Sequence, residues 1–139
     1  MKIISDTLSL STKGFCDVHD ITSDVSNKLA EHGLKNGIVT FFSPGSTAGL
    51  TTIEYESGVI RDFSELLERI IPSNVPYHHD ARWGDGNGFA HVRSALIGPS
   101  LTVPFSDGKM DLGIWQQVVF VDFDNRPRSR RIRLQFLGE

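Results

Sequence analysis

The densest gathering of groups able to do chemistry lies between Tyr77 and His91. Tyr77-His78-His79-Asp80 is followed, across an irregular stretch, by Asn87-Gly88-Phe89-Ala90-His91. Neutral imidazole is the commonest protein ligand for zinc and similar ions, and carboxylate is a good companion to it. Two loop imidazoles, one carboxylate and a third imidazole opening a helix can form an open metal site, with one position left for water or substrate. The chain has neither a His-Glu-x-x-His nor a paired-cysteine motif. Spacing alone therefore leaves two readings, a metal site or a set of surface histidines. His19, in a turn, and His32, at a helix end where a cation suits the dipole, are read as structural.

Other candidates are scattered. Glu54 stands in an otherwise apolar or Thr-rich strand; it is either an exposed edge residue or a ligand or general base tuned by burial. Trp115-Gln116-Gln117 breaks an apolar run with amides, which need partners in a core or face a ligand. Arg128-Ser129-Arg130-Arg131-Ile132-Arg133 is either a solvated face or a phosphate site, because guanidinium forks match phosphate oxygens. Ser43 to Gly49 is small, hydroxyl-rich and Gly-rich; its amides can form an anion nest, but it lacks the Gly-Lys-Ser/Thr ending of a P-loop.

The elements that must position these groups follow from periodicity. Lys2 to Leu10 alternates and predicts a strand, with a short return strand over Phe15 to Val18. Ile21, Val25 and Leu29 predict a helix capped by Asp20 or Thr22 and stopped at His32-Gly33. Gly37 to Phe42 and Leu50 to Tyr55 read as strands, and Val59 to Ile71 as an amphipathic helix closed by Pro72. Ser73 to Gly86 has no regular period, and loops of that length are usually functional or mobile. Phe89, Val92 and Leu96 mark the core stripe of a short helix. Strands are expected over Ser100 to Phe105, Lys109 to Leu112, Ile114 to Phe123 and Arg131 to Leu137, the last with Ile132, Leu134 and Phe136 inward. Helices inserted between terminal strands predict an α+β fold in one domain, 1–139.

Composition narrows the function classes. The chain has 139 residues, 39% hydrophobic and 22% charged, which is enough to bury a core and does not suggest disorder. A net charge of −3 gives no basis for duplex binding, so no nucleic-acid partner is expected. One cysteine, Cys16, rules out an internal disulfide and a thiolate zinc cluster within the chain. No stretch approaches the ~20 apolar residues of a membrane helix, and no signal peptide is read at the N-terminus. No membrane association is expected, and the expected location is cytoplasmic.

Taken together, these motifs resemble the YjbQ-like family. Ser46 to Glu54 is similar to its His-Thr-Ser-Ala-x-Leu-x-x-Asn-Glu segment, and Tyr77 to Asp80 to its Tyr-x-His-Asp. Asn87 to Ser100 is similar to Asn-Ala-x-Ala-His-x-Lys-x-x-Leu-x-Gly-x-Ser, and Leu112 to Gln117 to Leu-Gly-Thr-Trp-Gln-Gly. The likeness runs in order over almost the whole chain. It implies a sandwich-like α+β fold with two to three helices, a homotrimer, and a site near subunit boundaries. It also implies a divalent ion, zinc or magnesium, held by His79 and His91, with Glu54, Asp80, Asn87, Ser100, Trp115 and Gln116 lining the site. The activity implied is that of a thiamine-phosphate synthase, a transferase joining a hydroxymethylpyrimidine diphosphate to a thiazole phosphate. Arg93, Arg130 and Arg131 would then face the leaving diphosphate. A metal-assisted hydrolase and a non-catalytic trimeric protein binding a small phosphorylated or otherwise anionic metabolite are the alternatives. Gly45 stands where the family has His, Ile53 where it has Asn, and Gln117 where it has Gly.

Overall fold

The computed structural model describes residues 1–139. Its elements run β1 (Lys2–Thr12), β2 (Asp17–Asp20), α1 (Thr22–His32), β3 (Gly37–Phe42), β4 (Ala48–Ile53), α2 (Ser57–Ile70), α3 (His78–Trp83), α4 (Gly88–Ile97), β5 (Ser100–Ser106), β6 (Lys109–Met110), β7 (Gln117–Asp122) and β8 (Arg128–Gly138). The strands form two sheets, β1-β8-β3-β5-β6 and β2-β7-β4. Every pairing is antiparallel. This is an α+β sandwich with four helices, against the two to three that the family likeness implied.

The alternation read in the C-terminal strand sets the register of the larger sheet. Ile132, Leu134 and Phe136 are fully or almost fully buried, while Arg131, Arg133 and Gln135 point out. Along its whole length β8 pairs with β1, from Thr12 opposite Arg128 to Lys2 opposite Gly138. Its inner face joins Val39, Phe41, Val103 and Phe105 in a core that also takes Val118 and Phe120 from β7 and Ile21, Val25 and Leu29 from α1.

Strand β7 is buried on both faces, which explains its nearly unbroken apolar run. Its other face, Val119 and Val121, continues through Phe123 into a second core with Leu67, Ile71, Phe89 and Ala90 from the helical side. The layers are therefore sheet, sheet, helices, with β7 at the centre. Truncating a buried Phe in such a setting typically costs about 3–5 kcal/mol.

Several boundaries differ from the sequence reading. The strand expected from Ile114 begins at Gln117; Ile114 and Trp115 lie in the preceding turn, 83% and 69% exposed. The stretch read as irregular contains α3, a six-residue helix too short to show a period. Helix α2 starts at Ser57 because the Glu56 carboxylate accepts from the Gly58 and Val59 N–H groups. In α1 the Asp20 carboxylate accepts from Thr22 N–H, whereas the Thr22 hydroxyl accepts from Val118 N–H.

Helix α4 turns a different face inward from the one expected. Phe89, Ala90, Arg93 and Ser94 are buried, while Val92 and Leu96 are exposed. The cause is close approach to β4: the Ser94 hydroxyl donates to the Ala48 carbonyl, and Gly49 lies directly beneath Ile97. Only small or narrow side chains fit there, so size overrides hydropathy.

Candidate functional site

Helix α3 ends at Gly84, whose φ of 71° is left-handed, and Gly86 repeats that conformation at 70°. The two reversals fold residues 84–86 back over the helix and bring Asp85 to His79. Helix α4 then starts hard against the N-cap of α3: a Cβ on Gly88 would lie 2.6 Å from that of Tyr77. This contact lets the Asp80 carboxylate accept from Gly88 N–H at 2.9 Å.

The result is a compact donor set. His79 Nδ1 lies 3.2 Å from Asp80 Oδ1 and 3.3 Å from Asp85 Oδ1. One ligand atom from each of His79, Asp80 and Asp85 falls within 4.8 Å of the others. The His91 ring sits 4.4 Å from that of His79, centroid to centroid, tilted by 37°. Bonds of about 2.0–2.1 Å around a tetrahedral ion put neighbouring ligand atoms about 3.3 Å apart. Both nitrogen–oxygen separations match that edge, so the residues fit a small divalent ion. The Gly88 N–H donates to the same Asp80 oxygen that faces His79 and so fixes its position.

Asp85 was missed in the sequence. The available signal was a lone Asp between two glycines, Gly84-Asp85-Gly86, in the segment that holds the histidines. His78 is adjacent in sequence but takes no part in the donor set, and neither does His91, expected as a ligand, whose ring packs beside that of His79.

Asn87 is buried beside this cluster and donates from Nδ2 to Asp124 Oδ1 at 3.1 Å. Its Oδ1 is buried without a hydrogen-bond partner. Burial pushes the Asp124 carboxyl up, but hydrogen bonds from Asn87, the Asn125 N–H, Thr47 and Arg128 outweigh it and hold the group below the usual carboxylate range.

The remaining expected site residues lie elsewhere. Arg93 is buried and faces the opposite direction: its Nε and Nη2 donate to the Ile71 carbonyl, and Nη2 also meets Glu68 at 2.8 Å. It closes the C-terminus of α2 and is not available to a diphosphate. Arg130 is likewise occupied, gripping Asp122 through Nε at 2.7 Å and Nη2 at 2.9 Å while Nη2 also donates to Thr47. Arg131, its neighbour on an extended strand, points out to solvent. The two cannot act together on one ligand.

Glu54 is exposed just past the end of β4. Ser100 and Gln116 line a different cavity of about 410 Å³ between β4 and β5, which no histidine reaches. There Gln116 is held by Thr52 Oγ1 and Gly113 N–H. Trp115 is exposed on the turn before β7. His19 pairs with Asp17 and His32 with Asp6, each at 2.8 Å, as befits structural groups. Burial pushes the Cys16 thiol up, away from nucleophile chemistry.

Comparison with known proteins places the chain in a family without placing a reaction in it. A family model described as UPF0047 protein YjbQ-like matches residues 6–139. A UPF0047 protein of Methanothermobacter thermautotrophicus is 40% identical over 139 residues, spanning 100% of this chain and 95% of the relative. One from Archaeoglobus fulgidus is 35% identical, covering 94% and 98%. A crystal structure of a YbjQ-like protein of unknown function from Sulfolobus solfataricus superposes with a TM-score of 0.93 at 29% identity, over 99% of each chain. None of these relatives is described by an activity, and the structural one is described as of unknown function. The expectation of a thiamine-phosphate synthase is therefore corrected: the likeness that suggested it carries family membership and fold, not that reaction, and two of the three arginines expected to face the diphosphate are tied up inside the fold. What the match establishes is descent and architecture: the chain belongs to the YjbQ-like UPF0047 family.

Proposed function

We propose that this protein is a divalent-metal protein whose ion is held by His79, Asp80 and Asp85, with the His91 ring packed beside that set. The observation that carries the reading is the pair of 3.2 and 3.3 Å separations around His79 Nδ1, which match the edge of a tetrahedral ligand set. Mixed imidazole and carboxylate donors suit zinc and its first-row neighbours better than magnesium, which prefers oxygen and retains its waters. Bound there, such an ion would act as a Lewis acid toward a water or substrate oxygen in an open position. The chain's own residues orient the ligands: Gly88 N–H steers Asp80, and the Gly84–Gly86 turn presents Asp85.

Titration of the chelator-treated protein with Zn²⁺, followed by calorimetry and native mass spectrometry, tests this. One ion per chain is expected, and His79→Ala should weaken binding by more than the roughly 10- to 100-fold typical of second-layer changes. Equal zinc affinity in wild type and His79→Ala, with both folded by circular dichroism, overturns the assignment.

The homotrimer belongs to the same reading. Exposed Val92 and Leu96 on the helix of His91, with exposed Ile114 and Trp115, supply apolar surface for contact between copies. Sedimentation equilibrium showing only monomer at micromolar concentration counts against that assembly.

A further inference from the structure

Strand edges carry N–H and C=O groups that must find partners. Strand β4 is an edge of the smaller sheet, and β6 pairs only with Phe105 and Ser106, which leaves the rest of β5 as an edge of the larger one. One backbone bond joins these edges, from Leu50 N–H to the carbonyl of Gly98 just before β5, at 3.0 Å. The next bond of a parallel ladder, from Ser100 N–H to the Leu50 carbonyl, is not made. Beyond that point the strands run in the same direction along the two sides of the 410 Å³ cavity. The turn after β6 closes its far end: Asp111 N–H donates to the Pro104 carbonyl, and Gln116 Nε2 to Thr52 Oγ1.

Register decides which groups face this slot. In an antiparallel pair a residue exchanges both backbone bonds with the residue opposite, or neither. Leu50 bonds to Gly98, so Leu50 and Thr52 turn their backbone groups away from β7. The Pro104 carbonyl accepts from Asp111, so Thr102 and Ser100 turn theirs away from β3. The Leu50 carbonyl and both backbone groups of Thr52, Ser100 and Thr102 have no partner in the fold.

An extended segment is the complement of two such edges. Lying antiparallel to both, it would extend the antiparallel order unbroken from β3 through β5 and β4 to β7. The slot spans about three residues, roughly 10 Å of strand. A side chain facing the sandwich interior would meet Leu50, Leu101 and Val103, and one facing out the Ser100 and Thr102 positions. The antiparallel direction puts the N-terminal end of the segment at the closed turn, beside Asp111. Asp111 is the one charged side chain on the lining, so cations are favoured there and anions are not. The Ser106 hydroxyl donates to Asp111 Oδ2 at 2.9 Å, which leaves Oδ1 for an ammonium group.

We propose that this slot captures the free N-terminus of another polypeptide as a strand of about three residues, with its α-ammonium on Asp111 and its backbone paired to β4 and β5. No residue of the His79 cluster lines the slot, so the site does not rest on the metal reading.

The probe is the tripeptide amide Thr-Val-Thr-NH₂, titrated at pH 6.5, where its amine is charged. Binding is expected at about millimolar concentration or below. In ¹H–¹⁵N spectra the Thr52, Ser100 and Thr102 amides should move first. N-methylation of the central peptide nitrogen should weaken binding at least about tenfold, the size of a strong hydrogen bond. N-acetylation should weaken it about fivefold, since Asp111 is exposed, and Asp111→Asn should bring the free and acetylated peptides to within about twofold. Thr102→Pro removes an edge N–H that β3 does not use and should cost at least about tenfold; if that variant fails to fold, the N-methylated peptide makes the same test. Equal binding of the N-methylated and parent peptides, or shifts confined to other amides, overturns the strand pairing. Equal binding of free and acetylated peptides to the wild type overturns the role of Asp111. No binding at 10 mM peptide overturns the site, whether the slot stays open or a second copy of the chain fills it.

Discussion

Two charged clusters lie side by side in this molecule, built from overlapping residue types, and they differ in whether their atoms are satisfied. Asp122 and Asp124, on the inner face of β7 and just beyond it, meet Arg128 and Arg130 on the inner face of β8. Asp122 and Asp124 are 0% and 1% exposed, and each carboxylate is matched by a guanidinium and a hydroxyl from Thr12 or Thr47. The neighbouring group is partly open: His79, Asp80 and Asp85 bring one ligand atom each within 4.8 Å of the others, and the His91 ring packs beside them. The first cluster is closed: every charge has its opposite within the fold. The second is unfinished. A closed network holds two sheets in register, whereas the convergent donors of the second group are what the proposed ion would bind.

That contrast is tested most severely at Asp122. Removing one partner of a buried pair strands the other charge, at a cost of about 3–5 kcal/mol. Asp122→Ala should lower the urea midpoint by an amount toward the lower end of that loss, since Arg130 would lose both fork contacts and keep only the Thr47 hydroxyl and Asp124 at 3.6 Å. Zinc stoichiometry in the surviving folded protein should not change. A loss below about 1 kcal/mol would show that Arg130 has another outlet, and the two clusters would no longer be different in kind.

The opposite behaviour is expected of the open cluster. Asp85→Ala, at a side chain 51% exposed, should change metal-free stability by no more than about 0.5 kcal/mol. Zinc at 100 times its dissociation constant should stabilise the wild type by about 2.7 kcal/mol, and that gain should largely vanish in the variant. Thermal melts with and without chelator make the measurement. Equal zinc stabilisation in both proteins removes Asp85 from the ligand set.

How much of this could be read from residues alone depended on whether side-chain direction followed a simple period. Strand β8 was legible because Ile132, Leu134 and Phe136 alternate with charged or polar neighbours. Carried two steps back, the same period puts Arg130 and Arg128 inside and Arg131 outside, which separates residues that the run of arginines invites one to group. Helix α4 was legible as a helix but not in its facing, because contact with β4 selected Ala90 and Ser94 over Val92 and Leu96. Trp115 fell within the stretch expected as a strand and lies on a turn, since β7 already fills both of its faces without it. Within the candidate site, His79, His91 and Asp80 stood out by type. Asp85 did not, because its position depends on two left-handed glycines whose combined effect is a matter of three-dimensional geometry.

Asp6 supplies the intermediate case, an acid with partners but without full burial. It accepts from Lys28 at 2.9 Å and His32 at 2.8 Å and so pins β1 to α1, with its side chain 22% exposed. The Lys28 hydrogen bond, then that of the Thr7 N–H, bring its carboxyl down to about 2. A depressed folded-state value means that the contribution is present above the unfolded value of about 4 and fades as the pH falls toward 2. Solvent screening reduces its size to about 1 kcal/mol. Asp6→Asn should therefore lose about that much at pH 7, and the gap between variant and wild type should close between pH 4 and pH 2 in urea titrations. A gap that stays constant across that range would mean that the shape of the side chain, not its charge, joins strand to helix. A gap as large as that expected for Asp122→Ala would mean that the number of partners, rather than burial, sets the cost of breaking a charged contact in this fold.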